Sequence, residues 1–253
     1  MAIAWRVTNA TGQSGPTGRH KFYWMIGILI QLAVSWLLLW LVDKKNLTIL
    51  GLKPTTGRLL NFTFGFTTSA TVFVIYCLTI TFLTNNNWTI NDDFFVRDFL
   101  SSTWWTIKSV IFEELIFRGA LLYLLIQKTN ERTACSISAI AFGIYHWFSF
   151  GVLGDPIQMT YIFISTGVWG LMFAFAFSKT KSLYLPLGLH MGWNLFNIVV
   201  FSQGPLGHQF LVNSNNGQLL TGLPSVGLQL LQLLGLPIIV YIYLKKYRQA
   251  DKK

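Results

Sequence analysis

The sequence predicts an all-α, polytopic membrane protein, a bundle of seven or eight transmembrane helices. Of its 253 residues, 53% are hydrophobic and 11% are charged, and the mean hydropathy is +0.50. These values are typical of membrane proteins rather than of soluble domains. The apolar residues also form runs near the ~20 residues that a spanning helix needs. A few ionisable groups recur inside those runs.

Seven apolar runs are candidates for the helices. In chain order they are Phe22–Val42, Leu59–Leu83, Phe99–Gln127, Ala134–Phe150, Thr160–Phe177, Ser182–Phe201 and Leu223–Leu244. The first run is long enough to span and lacks the short apolar core and small-residue cleavage site of a signal peptide, so we expect an uncleaved helix. The fourth and fifth runs are short, and we expect them to tilt little or to face neighbouring helices.

These runs leave no soluble domain, so residues 1–253 are predicted to form one transmembrane domain. Its N-terminal helices would occupy residues 22–83, its motif-bearing core about 99–201, and its C-terminal helix 223–244. An eighth helix would form if the polar N-terminal stretch or the region after Gly204 folded onto the membrane.

The cations are distributed unequally between the two ends of the predicted helices. The linkers after the first, third and fifth helices and the C-terminal tail hold 13 of them: Lys44, Lys45, Lys53, Arg58, Lys128, Arg132, Lys179, Lys181, Lys245, Lys246, Arg248, Lys252 and Lys253. The opposite end holds four: Arg6, Arg19, Lys21 and Arg97. Because Lys and Arg are in excess on the cytoplasmic side of membrane proteins, we expect a multi-pass protein of the cell membrane with a cytoplasmic C-terminus.

The net charge of +10 does not indicate a nucleic-acid partner, because most cations flank apolar runs and no basic stripe alternates with aromatic residues. Cys77 and Cys135 lie in apolar runs without the spacing of a zinc site, and we expect both to be buried. The lipid bilayer is therefore the first expected partner, and the sequence predicts no oligomeric state.

Polar side chains at similar depth in three of the predicted helices form the candidate site. Glu113 lies in the third helix, His146 in the fourth, and His190 and Asn194 in the sixth. At 1.5 Å per residue they lie roughly 12–21 Å from the cytoplasmic helix ends, near the middle of a ~30 Å core. An ionisable residue there costs roughly 2.5–3.5 kcal/mol to insert, so it usually faces the protein interior and has a function.

Helical geometry separates the roles of these groups. Glu114 and Arg118 are four residues apart and can pair on one face of the third helix. Glu113 points about 100° away from Glu114, which leaves it available to another helix. A glutamate and a histidine facing a second histidine and an asparagine could add water to a carbonyl. The first pair would deprotonate the water, and the second would stabilise the oxyanion.

Three motifs in chain order carry a family resemblance. "EELIFR" at Glu113–Arg118 fits the pattern EExxxR, "FGIYH" at Phe142–His146 fits FxxxH, and "HMGWN" at His190–Asn194 fits HxxxN. Together they resemble the CPBP family of intramembrane endopeptidases, which includes CAAX-processing proteases and bacterial Abi proteins linked to bacteriocin processing and immunity. The resemblance covers roughly Phe99–Phe201. It implies an all-α membrane fold with a polar cavity that opens towards the cytoplasmic side.

The resemblance also implies residue roles. It assigns catalysis to Glu113, His146, His190 and Asn194, with the first two activating water and the last two stabilising the oxyanion. It assigns supporting roles to Glu114, Arg118 and Phe142.

A metal-dependent mechanism stays open beside the metal-free one. Glu113, His146 and His190 would be the ligands of a divalent metal such as zinc, which leaves one coordination position for water. No HExxH motif is present and asparagine is a poor zinc ligand, so metal-free activation of water is slightly favoured.

The implied substrate is a membrane-associated peptide or protein precursor, such as a bacteriocin, a pheromone or a leader peptide, because the chain length fits the bacterial Abi type. CAAX prenyl endopeptidase activity is one alternative, and a non-enzymatic bacteriocin immunity protein on the same scaffold is another. A transporter or proton relay would also use buried Glu and His. The sequence argues against it, because it has no internal repeat and its polar groups form one cluster.

Overall fold

The computed structural model of the protein describes residues 18–213 and 220–250, with side chains at 26–213 and 220–247. Within these residues the chain forms eight α-helices and a two-stranded antiparallel ribbon. The helices are α1 (Gly18–Asp43), α2 (Thr56–Thr84), α3 (Val96–Arg118), α4 (Ala120–Lys128), α5 (Glu131–Ser149), α6 (Pro156–Thr180), α7 (Tyr184–Asn194) and α8 (Gly222–Ala250). A 3-10 turn (Leu47–Leu50) precedes α2, and a π-helical segment (Leu195–Val200) continues α7. The strands are β1 (Trp88–Ile90) and β2 (Leu211–Asn213).

All seven predicted helical segments are present in the described residues, which confirms the all-α fold class. The predicted third helix is divided at Gly119 into α3 and α4, and the predicted sixth helix consists of α7 and the π-helical segment. The eighth helix that the sequence left open does not form between Gly204 and Asn213, where the chain is a loop followed by β2. The polar N-terminal stretch, residues 1–17, lies outside the described residues.

Four of the described helices are long and apolar enough to cross a membrane, which supports the prediction of a membrane protein. These are Ile26–Asp43, Thr56–Thr84, Pro156–Thr180 and Gly222–Tyr247. The sequence predicted seven spans. The motif-bearing helices α3, α5 and α7 fall outside the four because they are short or carry charged and polar residues. Neighbouring helices cover α7, since eight of its 11 residues are buried.

The close packing of α2 against α7 depends on glycines four residues apart. A Cβ added to Gly188 would lie 2.3 Å from the carbonyl oxygen of Phe62, and one added to Gly192 would lie 2.3 Å from that of Phe66. Such small residues let membrane helices approach until their backbones touch. The contact fixes the position of α7, and His190 lies between the two glycines on that helix.

α5 and α6 also pack closely at a glycine. A Cβ added to Gly143 would lie 2.7 Å from the ring of Phe163. Nearby, the indole N–H of Trp147 donates to the backbone carbonyl of Met159 at 2.8 Å. These contacts hold the end of α5 that carries the FxxxH motif against the start of α6.

Side-chain caps define where α5 and α6 begin. Asn130 accepts a hydrogen bond from the backbone N–H of Thr133 at 3.0 Å. Asp155 accepts from the backbone N–H groups of Ile157 and Gln158, both at 3.1 Å. Hydrogen bonds from the backbone and the side chain of Gln158 hold the pKa of the Asp155 carboxyl below its usual range. Both residues satisfy N–H groups that would otherwise lack partners at a helix start.

The ribbon closes the end of the bundle at which α3 begins. Thr89 of β1 lies opposite Val212 of β2 in the antiparallel register. Gln209 precedes β2, and its side-chain carbonyl accepts a hydrogen bond from the hydroxyl of Ser102 at 2.7 Å. Its backbone carbonyl accepts one from the amide of Asn91 at 2.9 Å. The loops after α2 and after the π-helical segment are thereby tied to each other and to α3.

Charge differs between the two ends of the bundle. The end at which α4 stops and α5 starts carries ten cations among the described side chains: Lys44, Lys45, Lys53, Arg58, Lys128, Arg132, Lys179, Lys181, Lys245 and Lys246. The ribbon end carries four acidic residues and one cation: Asp92, Asp93, Asp98, Asp155 and Arg97. The expected burial of both cysteines is confirmed, since Cys77 and Cys135 are fully buried and free.

Candidate active site

A buried ion pair on α3 forms the base of the site. Arg118 Nη1 lies 3.2 Å from Glu114 Oε1, and both side chains are fully excluded from solvent. The spacing of four residues predicted this pair. The guanidinium also donates to the carbonyl of Gly170 at 3.3 Å, and its central carbon lies 4.2 Å from the centre of the Phe142 ring. Arg118 therefore joins α3 to α6 and stacks on the first residue of the FxxxH motif.

His190 bridges the two glutamates of α3. Its Nδ1 lies 2.8 Å from Glu114 Oε1, and its Nε2 lies 3.8 Å from Glu113 Oε2. The Phe173 ring stacks on the imidazole, with 4.9 Å between ring centres. Glu113 is the more open of the two carboxylates, since 14% of its side chain is exposed and none of Glu114 is. Glu113 faces a histidine of another helix, as predicted, but Glu114, which pairs with Arg118, lies closer to the same histidine.

His146 reaches the same cluster from α5 with a defined proton position. Its Nδ1 lies 2.7 Å from the carbonyl oxygen of Phe142. Because a carbonyl only accepts, Nδ1 carries the proton and a neutral His146 presents a lone pair on Nε2. The Phe142 ring contacts both histidines, with its centre 4.4 Å from that of His146 and 6.1 Å from that of His190. No ion pair or hydrogen bond among the described residues joins His146 to Glu113 directly.

Asn194 is the last residue of α7, directly before the π-helical segment. Its side chain is half-buried, and its amide makes no hydrogen bond with the described residues. Local π-helical geometry is common at functional sites, because it re-aims side chains within an otherwise regular helix. Asn194 therefore has both a donor and an acceptor available for a bound molecule.

The predicted metal ligands do not form a metal-binding group. No three His, Cys, Asp or Glu side chains in the described part of the chain are close enough to hold a metal ion. Glu113 and His190 are neighbours, but the third proposed ligand, His146, does not complete the set. The donor set of this structure therefore does not fit a catalytic zinc, which needs three protein ligands around one point.

Two cavities of about 330 Å³ each lie elsewhere in the bundle. One is apolar and lined by α2 and the π-helical segment, including Phe66, Ala70 and Phe196. The other lies where α4 and α6 end, next to Tyr123 and Lys181. Neither is lined by a predicted site residue, so a polar cavity that opens from the site stays a prediction.

Sequence reasoning missed three contributors to this site. Phe173 covers one face of His190, and the absence of a side chain at Gly170 lets the Phe142 ring approach, since a Cβ there would lie 3.0 Å from it. Both belong to α6, which carries none of the motifs. The third is the carbonyl of Phe142, whose bond to His146 follows from the four-residue spacing within FxxxH. Only that spacing gave a signal in the sequence.

Comparison with known proteins adds an independent observation. Residues 96–196 match the family described as type II CAAX prenyl endopeptidase Rce1-like. The chain is also 30% identical over 117 residues to a Bacillus subtilis (strain 168) protein named "Putative membrane peptidase YdiL". That match covers 46% of this chain and 43% of the relative, so the chain spans less than half of the curated protein that it matches. No solved structure matches the chain.

Proposed function

We propose that this chain is an intramembrane protease of the CPBP type, an endopeptidase that hydrolyses a peptide bond inside the membrane. The family match of residues 96–196 and the similarity to a membrane peptidase support this proposal. The observation that supports this most directly is the place of Glu113. Its carboxylate is partly exposed, lies 3.8 Å from a histidine of another helix, and stands next to a second carboxylate that is already neutralised by Arg118.

The proposed reaction adds one water to one amide. Glu113 takes a proton from a water molecule, and the water oxygen bonds to the carbonyl carbon of the substrate. The carbon–nitrogen bond then breaks, and the proton passes to the departing amine. The products are a carboxylic acid and an amine, which become a carboxylate and an ammonium group once the acid proton moves to the amine. His146 offers the Nε2 lone pair as a second hydrogen-bond acceptor for the water or for the substrate amide.

Asn194 is the proposed oxyanion donor. Its amide N–H groups are uncommitted among the described residues, and the half-buried position raises the strength of a bond to developing charge. The packing of α7 supports this role, because Gly188 and Gly192 hold the helix that carries His190 and Asn194 against α2. The mechanism includes no step through a metal ion, because the described donor groups do not fit one.

The proposed substrate is a membrane-associated peptide or protein precursor, such as a bacteriocin, a pheromone or a leader peptide. The description of the matching family supports the alternative of a prenylated CAAX protein. In either case the substrate reaches the site from within or beside the bilayer. The cation-rich end, and with it the C-terminus, is proposed to face the cytoplasm.

The experiment compares membrane peptides of cells that express the wild type or Glu113→Gln. We expect a defined set of cleavage products in the wild type that is absent from Glu113→Gln and from His146→Gln, with equal amounts of protein in the membrane. Glu131→Gln is the matched control. It changes a glutamate outside the site that binds Ser178 and Lys179, and it should leave the products unchanged.

Identical peptides in wild type and Glu113→Gln would contradict the proposal. If Glu113→Gln also preserved resistance to a bacteriocin that the wild type confers, the non-enzymatic immunity function would take its place.

A further inference from the structure

A hydrogen bond of 2.8 Å between Glu114 on α3 and His190 on α7 determines which ring nitrogen of His190 carries the proton. Glu114 Oε1 is the partner of His190 Nδ1. An ionised carboxylate only accepts hydrogen bonds, so the proton of this bond belongs to Nδ1. Arg118 supports that state, because its guanidinium donates to the same oxygen at 3.2 Å and both side chains are fully buried.

We propose that Glu114 is a positioning residue, whose Oε1 holds the proton of His190 on Nδ1 and thereby turns an unprotonated Nε2 towards Glu113. The wider surroundings leave the ring little freedom. Phe173 stacks on one face of the imidazole at 4.9 Å, and Phe142 meets it edge-on at 6.1 Å. The arrangement parallels a carboxylate that fixes the tautomer of a catalytic histidine.

This tautomer gives His190 a different role from the one that the family resemblance implies. A neutral His190 without a proton on Nε2 cannot donate to an oxyanion. It can instead accept a hydrogen bond from a water molecule that also donates to Glu113, because the two acceptor atoms lie 3.8 Å apart. With both of its hydrogens held, such a water directs an oxygen lone pair away from both residues, towards a substrate carbonyl. Oxyanion stabilisation is then left to Asn194.

The test reads the proton position directly by nitrogen NMR of protein labelled at its four histidines. At about pH 9, well above the ordinary imidazole pKa, we expect Nδ1 of His190 to give an N–H signal and Nε2 to give a lone-pair signal. The spectrum of His190→Gln assigns the resonances. An N–H signal on Nε2, in the neutral ring or in an imidazolium at that pH, would overturn the proposal even without a variant.

The double variant Glu114→Leu/Arg118→Met removes the acceptor without leaving a buried charge, because apolar residues of similar size replace both members of the pair. We expect it to accumulate in the membrane and to show a mixture of the two His190 tautomers. Glu113→Gln is the control and should keep the wild-type nitrogen signals. A single Nδ1–H tautomer in the double variant would overturn the proposal.

The catalytic consequence rests on the proposed function. The double variant should lower kcat by about 10²–10⁴-fold on the peptides identified as wild-type products, since the tautomer of a catalytic histidine has effects of this order. The two proposals fail in different ways. If the wild type cleaves nothing while the nitrogen signals depend on Glu114, the proposed function fails and the positioning of His190 stands.

Discussion

At the scale of single residues, Glu114 is the point at which the charges of the site converge. Its Oε1 is the hydrogen-bond partner of both Arg118 and His190. Its Oε2 and Arg118 Nε have no hydrogen-bond partner among the described residues. The four-residue spacing predicted the Glu114–Arg118 pair. It could not predict the bond to His190, because spacing shows which residues share a helix face and not how two helices are rotated against each other.

Removing one member of the buried pair should destabilise the protein strongly. We expect Arg118→Met to lower the free energy of unfolding by about 3–5 kcal/mol, because it leaves the Glu114 charge buried without its partner. Glu114→Leu/Arg118→Met should recover most of that loss. Thermal unfolding in detergent measures both. Equal destabilisation by the single and double variants would show that packing of the Arg118 stem, and not the charge, holds this region.

Substitution of Asn194 tests whether its amide stabilises the oxyanion of the transition state. We expect Asn194→Ala to lower kcat by about 10²–10³-fold with little change in KM, because one hydrogen-bond donor is lost only in the transition state. Kinetics on an identified product peptide would measure the effect. The rival role for this side chain is a hydrogen bond between helices. A fall in unfolding temperature without a fall in kcat would support that rival.

At the scale of elements, α7 is placed by backbone contact rather than by its own length. It has only 11 residues, and two of its glycines touch carbonyl oxygens of α2.

The sequence predicted every helix but not the break at Gly119, the π-helical segment or the ribbon. A Cβ at Gly119 would lie 2.1 Å from the Leu115 carbonyl oxygen, a clash that depends on three-dimensional detail. Three-residue strands are likewise too short to leave a periodic pattern.

Gly192→Ala should separate α2 from α7. Its Cβ would lie 2.3 Å from the backbone oxygen of Phe66, so one helix must move. We expect a loss of cleavage and a clear drop in thermal stability. Gly227→Ala is the matched control, since nothing lies within 4 Å of its added Cβ. It should be neutral or stabilise α8 by about 0.5–1 kcal/mol, the usual preference of a helix interior for alanine over glycine. Unchanged cleavage and stability in Gly192→Ala would contradict the proposed contact.

At the scale of the whole molecule, charge divides the bundle into two unlike ends. Ten of the described cationic side chains lie at the end where α8 finishes, while acidic residues outnumber Arg97 at the ribbon end. The same asymmetry could be read from the sequence, because composition alone determines it once the helices are placed. The number of membrane-spanning helices could not be predicted from the sequence. Neighbouring helices bury α7, so it lacks the long apolar stretch by which a helix in contact with lipid is recognised.

The distribution of charge predicts the side on which the C-terminus lies. A green fluorescent protein fused after Lys253 should fluoresce in bacterial cells, and an alkaline phosphatase at the same place should be inactive, since the cation-rich end is expected to stay in the cytoplasm. The reverse pair of results would place the cations outside and contradict the proposed orientation.

The composition of the site predicts insensitivity to chelators. Because the described residues hold no group of three ligands for one metal, cleavage should continue after treatment with 1,10-phenanthroline or EDTA. Loss of cleavage that added zinc restores would instead show that His146 and His190 come together around an ion.

The ribbon has a consequence for biosynthesis. β2 leaves the ribosome only after the first seven helices and the π-helical segment, yet its partner β1 is made before any motif helix. Until Gln209 is synthesised, its hydrogen bonds with Ser102 and Asn91 cannot form at this end of the bundle. The candidate site residues are therefore all synthesised before the contacts that tie this end of the bundle together can form.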